Sequence, residues 1–217
     1  MGLSRAVFEA HLKGWSEELR RTNRPYREYW PSHLFRHEPV QTAATILQTG
    51  HLLSRNDANR EAPDRPDIAA PEVIATTGAA YDKARLYFRP LNPTQYWVEG
   101  VRSEEELWSA SGHVHAPVLV MLVFDAEPIL TSAGVAFSNG NVQRTTRTST
   151  GNNDRFFLNI GWDRVYHDGP WGQDGEAIRS KRWQWKVNLD DGEYLCRIYL
   201  HNCLAYEAPF LIDRLPF

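Results

Sequence analysis

Residues 35–54 read FRHEPVQTAATILQTGHLLS. Leu34 and Phe35 lead straight into three chargeable residues, Arg36, His37 and Glu38, and then into a helix signal. Pro39 suits a first helical position, where its missing N–H would have no partner anyway, and Gly50 suits the residue just past the end. Between them Val40, Ala43, Ala44 and Leu47 mark one apolar face. A strand that stops at a helix N-terminus can seat an anion, because the first N–H groups of the helix point at it, and Arg36 adds a guanidinium fork for phosphate. The same residues also allow an ordinary surface ion pair between Arg36 and Glu38. The sequence leaves both readings open.

Upstream, residues 1–31 read as a helical arm. Ser4 can cap a helix whose apolar positions Val7, Leu12, Trp15 and Leu19 recur at roughly helical spacing. Six Lys and Arg against four Glu make this arm positive, and Pro25 and Pro31 bracket its end. Residues 32–217 form the main domain. Downstream, residues 55–73 hold Asn56, Pro63, Pro66 and Pro71 in a charged setting without hydrophobic period, which predicts a long functional loop. Strands are expected at 85–89, at 118–124 from its β-branched run, at 183–189 from strict alternation, and at 194–200. Early helices followed by strands and irregular loops predict an α+β domain.

The chain has 217 residues, 42% hydrophobic and 24% charged, with a formal net charge of −3. That composition supports a packed core and argues against a protein that coats nucleic acid over its whole surface, while leaving room for a local basic groove. Trp is a costly residue to place, and the 8 present suggest that some line a pocket. Cys196 and Cys203 form no CxxC pair, and no leader or apolar run long enough to span a bilayer is visible, so a soluble cytoplasmic protein is expected. Dinucleotide, phosphate-loop, zinc-helix and nucleophile-elbow motifs are all missing. His113 and His115 could share a metal, but no third ligand lies near them in sequence, and no metal is expected.

Residues 140–157, GNVQRTTRTSTGNNDRFF, hold three Arg against one Asp, mixed with Thr, Ser and Asn donors and with Phe156 and Phe157. Phosphate contact plus base stacking calls for that mixture. A plain polar loop is the competing reading.

Taken together, these segments carry a resemblance. Residues 35–54, with Ile46-Leu47, Gly50 and Leu52-Leu53 in frame, resemble the opening of the DarT family, toxins of bacterial toxin–antitoxin pairs that transfer ADP-ribose from NAD to bases of single-stranded DNA. Four later blocks follow in the family's order. They are Tyr81-Asp82 with LYFRPLNP at 86–93, VAFSNGN at 135–141, Ile160-Gly161-Trp162-Asp163 with Trp171, and KRWQWKV at 181–187. The resemblance spans roughly residues 34–200. It implies an ADP-ribosyltransferase fold with a split, mixed β core, NAD in the cleft between the two sheets, and no metal. It implies that Arg36, His37, Thr42, Leu53, Tyr87 and Phe88 bind NAD, and that the 55–73 loop supplies a working arginine, Arg60 or Arg65. It further implies that Asn141, Arg144, Arg147 and Arg155 contact nucleic acid, with an antitoxin protein as a further partner.

The departures are equally specific. The family's first-strand histidine falls on Arg36, its threonine on Glu38, and its catalytic glutamate on Lys186. A carboxylate there binds ribose hydroxyls, stabilises the oxocarbenium-like ribose and takes a proton from the acceptor. A lysine has the wrong sign for the electrostatic part. Either the carboxylate comes from elsewhere, with Glu38, Glu176 and Glu193 as candidates, or the chain is a silenced enzyme, or it uses the fold for binding alone. The readings that follow are transfer to a nucleic-acid base, silent binding of nucleotide or nucleic acid, and transfer to protein.

Overall fold

The computed structural model describes residues 2–22, 25–63, 79–90, 119–139 and 149–167, and the backbone of 185–189, 192–200 and 203–212. Among the described residues eight strands join in one sheet: β1 His33–Pro39, β2 Ala84–Tyr87, β3 Leu119–Asp125, β4 Ala136–Asn139, β5 Thr150–Gly151, β6 Trp185–Leu189, β7 Gly192–Leu200 and β8 Cys203–Ile212. Their spatial order is β5-β4-β6-β2-β1-β3-β7-β8. The α+β architecture is as expected, with helices and strands both present. The described ladders run antiparallel, and β6 joins the two parts of the sheet by pairing with both β2 and β4.

β1 is central and covered on both faces, which is why its residues do not alternate cleanly between buried and exposed. Leu34 pairs with Phe124, and Phe35 with Val123. All four are buried in a single cluster with Leu86, Leu122 and Phe137.

The arm packs on this core. Helix α1, Arg5–Arg20, starts as expected at Ser4, whose hydroxyl accepts from the Val7 N–H. Its buried face runs through Phe8, His11 and Leu19, with Val7, Leu12 and Trp15 partly buried beside it. The apolar pattern missed His11, which lies among the rings of Trp15, Phe157, Trp162 and Tyr166 with its Nε2 2.8 Å from the Tyr166 hydroxyl. Residues Pro25–Ser32 form a 3-10 helix, from which the buried Arg27 donates to the Tyr166 carbonyl at 2.6 Å. Trp30 and Trp162 fill the core; Trp162 donates to the Phe157 carbonyl at 3.0 Å.

Helix α2, Val40–Thr49, corrects two expectations. Pro39 precedes the helix as its N-cap, and the buried positions are Ala43 and Ile46, while Val40 and Leu47 are exposed. Helix contact with β1 and β3 selects the face, and the sequence alone cannot orient it. Gly50 ends the helix as expected, with φ 72° and its N–H on the Ile46 carbonyl. A Cβ there meets nothing within 4 Å, so Gly50→Ala tests backbone strain alone. It is expected to cost about 1–2 kcal/mol in chemical denaturation.

Residues 55–73 were expected as a loop, but Arg55–Glu61 forms helix α3. Ser54 caps it through the Asp57 N–H, Asp57 sits in its first turn and Arg60 in its last, which suits the helix dipole. RNDANRE has no apolar period, so periodicity could not reveal it. Three short helices complete the described residues: α4 Ala126–Leu130, α5 Asp154–Leu158 and α6 Trp162–Val165. Ser4 donates to Asp154 through both its N–H and its hydroxyl, at 2.7 and 2.6 Å, which ties the arm to α5.

Candidate functional site

Arg36 and Glu38 are two apart on β1 and so share a side of the strand. The Arg36 Nε donates to Glu38 Oε1 at 2.6 Å, and its Nη2 lies 2.5 Å from the same oxygen. Its Nη1 donates to the Arg85 carbonyl on β2 at 2.9 Å. The ion pair is therefore made, but it is no surface pair: the Glu38 side chain is 8% exposed and that of Arg36 25%.

Two arginines missed by the sequence reading converge beside it. The guanidinium carbons of Arg55, the first residue of α3, and Arg85 lie 5.1 and 5.6 Å from the centre of the buried Tyr81 ring. Burial holds the Arg85 pKa below its ordinary value, and the charges of Arg36 and Arg55 lower it further. Asn56 donates to Asp82, fixing α3 to the turn that carries Tyr81. No motif marks this group, because it is assembled from β1, α3, β2 and the short 3-10 turn Ala79–Asp82.

His37, on the other side of β1 from Arg36 and Glu38, is buried. Burial, and then the Arg36 charge, push its pKa down to about 4, so it is neutral at physiological pH. Burial likewise takes His11 to about 3. In the unfolded chain both return to about 6.5 and bind protons first as the pH falls. Their contribution is therefore complete above about 6.5 and is lost as the pH descends through 4 and 3. The melting temperature is expected to fall over that window, and less steeply in His11→Phe.

Among the other expected site residues, Thr42 stands in the first turn of α2 with its hydroxyl buried and without a hydrogen-bond partner among the described residues. Leu53 and Tyr87 are half-buried. Phe88 is a core residue, 4.9 Å from the Trp162 ring. Arg60 belongs to α3, where it pairs with the buried Asp57 at 2.6 Å and with Glu61 at 3.4 Å. Arg155 is exposed on α5. Arg65, His113, His115, Asn141, Arg144, Arg147 and Glu176 lie outside the described residues. Glu193 pairs with Leu211 at the far side of the sheet. Among the described residues no three His, Cys, Asp or Glu are grouped as metal ligands, and no helix is long and apolar enough to cross a membrane.

The register brings distant segments together. Phe35 pairs with Tyr87, Tyr87 with Lys186, and Lys186 with Ser138. Position 186 thus lies two strands from β1, with β2 between them, in the row next to that of Arg36. A family model described as the ssDNA thymidine ADP-ribosyltransferase DarT matches residues 35–186, from the start of that row to its third member.

The chain belongs to the DarT family.

Solved DarT structures share its fold. The Thermus sp. 2.9 DarT in complex with ADP-ribosylated ssDNA superposes with a TM-score of 0.54 at 15% identity, over 73% of this chain and 75% of that one. The same DarT in complex with NAD+ gives 0.52 at 16% identity, over 73% and 75%. Its complex with carba-NAD+ gives 0.52 at 16%, over 73% and 76%. No curated protein matches by sequence. The DarT match begins at Phe35, so the helical arm lies outside it.

Proposed function

We propose that this chain binds NAD at the junction of β1 and α2 and transfers the ADP-ribosyl group to a base of single-stranded DNA. Family membership supports the reaction class, and the observation that carries the site is the register that sets β1, β2 and β6 side by side. Arg36, His37 and Thr42 meet the donor at the strand–helix junction, with Leu53 and Tyr87 along its side and Phe88 supporting the β2 end from the core. The N-glycosidic bond breaks as nicotinamide leaves with the bonding electrons. The base then attacks the ribose carbon and gives up its proton to the carboxylate or to water. An unpaired or flipped base is required to reach such a site.

A carboxylate is needed to stabilise the positive ribose, and among the described residues Glu38 is the one at the junction. Arg60 or Arg65 assists the departure. Position 186 on β6 carries Lys in place of the family's carboxylate, and a lysine has the wrong sign to stabilise a developing cation. Asn141, Arg144, Arg147 and Arg155 hold the DNA strand. Residues 32–217 form the transferase unit and residues 1–31 an arm braced against it. The biological role in this reading is that of a toxin restrained by an antitoxin protein.

The test incubates the protein with adenine-labelled NAD and single-stranded oligonucleotides. Label and one ADP-ribosyl mass are expected on the DNA; label on protein alone turns the reading toward protein modification. Lys186 favours a second reading, a silent binder. Under transfer carried by Glu38, Lys186→Glu changes an activity already present. A chain that binds NAD without turnover, and transfers only as Lys186→Glu, is a silenced enzyme.

A further inference from the structure

We propose that the N-terminal arm is the positioning element for the nucleic-acid strand: the Ser4–Asp154 tie holds α5 so that Arg155 is presented to a backbone phosphate. This rests on the strand contact given to Arg155 above. The arm that sets it lies outside the family match.

Helix α5 is five residues long. A helix of that length is not stable alone, so its direction is set by what it is tied to. Asn153 caps it, accepting from the Phe156 N–H at 3.0 Å. The outside ties fall on both neighbours of Arg155. Before it, the Asp154 carboxylate accepts from the Ser4 N–H at 2.7 Å and from the Ser4 hydroxyl at 2.6 Å, one bond on each oxygen. After it, the Phe156 ring closes on Gly151 of β5 so tightly that a Cβ on that glycine would overlap it. Gly151 pairs with Phe137 of β4, so α5 and the β4–β5 pair are held together. Phe157 completes the contact with the arm, its ring 4.9 Å from that of His11.

Arg155 itself is exposed. With both of its neighbours fixed, the direction in which its side chain leaves the backbone is fixed too, and less freedom is lost when the guanidinium meets a phosphate. Ser4 has two duties. Its hydroxyl gives its proton to Asp154 and accepts from the Val7 N–H, so one atom both starts α1 and ties it to α5. Arg5, next in sequence, pairs with Glu127 of α4, a tie of the arm that does not pass through α5.

The test measures binding of a fluorescein-labelled single-stranded oligonucleotide by anisotropy, and of NAD by calorimetry, on the full chain and its variants. Ser4→Ala is expected to weaken oligonucleotide binding at least threefold and Arg155→Ala at least fivefold, with NAD affinity unchanged in both. The double variant is expected to bind no more weakly than Arg155→Ala, because Ser4 acts through that side chain. Ser4→Thr, which keeps the hydroxyl, is expected to bind like the parent, and so is Arg5→Ala. Asp154→Asn keeps the Ser4 cap of α1 but gives up one accepting oxygen. Charge alone would make it bind the strand more tightly, since an acid is lost beside Arg155; the brace makes it bind more weakly.

An unchanged Ser4→Ala, equal losses for NAD and oligonucleotide, additive losses in the double variant, or tighter binding by Asp154→Asn overturns the brace. A parent that binds NAD but no oligonucleotide overturns the brace together with the strand contact and leaves the donor reading standing. Brace-dependent oligonucleotide binding without any transfer to DNA overturns the transfer reading and leaves the brace standing.

Discussion

Phe157→Ala is expected to lower stability by about 3–5 kcal/mol. Phe157 is fully buried where four other parts of the chain meet it. Its ring lies 4.9 Å from His11 of the arm, 5.3 Å from Phe137 of β4, 4.7 Å from Trp162 of α6, and 6.2 Å from Phe88 at the end of β2. Truncation removes the transfer energy of the ring and leaves a cavity that four separately anchored neighbours cannot all close. For a chain of this size the melting temperature should drop by roughly 10 °C. Leu158→Ala, one residue on but exposed, is expected to change it little, which separates packing from any loss of the α5 helix.

Glu38→Ala is expected to cost about 3–5 kcal/mol, because it leaves the Arg36 guanidinium partly buried without its carboxylate. The double replacement Arg36→Met with Glu38→Leu is expected to recover most of that loss, since a buried ion pair seldom stabilises more than apolar groups of similar volume. If the pair is kept for function, the recovered double variant folds like the parent yet binds ADP-ribose at least tenfold more weakly. Denaturant unfolding and calorimetry on the same preparations separate the two effects. A double variant that is both stable and unchanged in ADP-ribose binding would show that the pair is structural.

Much of the frame was legible from local chemistry. The helix between Pro39 and Gly50, the Ser4 cap, and the strands near 119 and 192 follow from capping residues and apolar period, which act over a few positions. The contents of the helix faces were less legible. His11 was overlooked because a polar residue breaks the apolar pattern, although desolvation and a Tyr166 partner make it a core residue here. The apolar face of α2 was set by contact with β1 and β3, which period alone cannot orient. The Arg36–Glu38 pair was visible as a spacing, but its burial was not, since that depends on strands from elsewhere in the chain. Arg55, Tyr81 and Arg85 were invisible as a group for the same reason: three segments meet only after the sheet has formed.

The central claim is that one dinucleotide bridges the β1–α2 junction and the β6 row. A crystal structure of the chain with a non-cleavable NAD analogue tests it most directly. The expected result is the analogue lying along the β1–α2 junction and reaching position 186 on β6. An analogue bound elsewhere, or a β6 row walled off from the ligand, would contradict it.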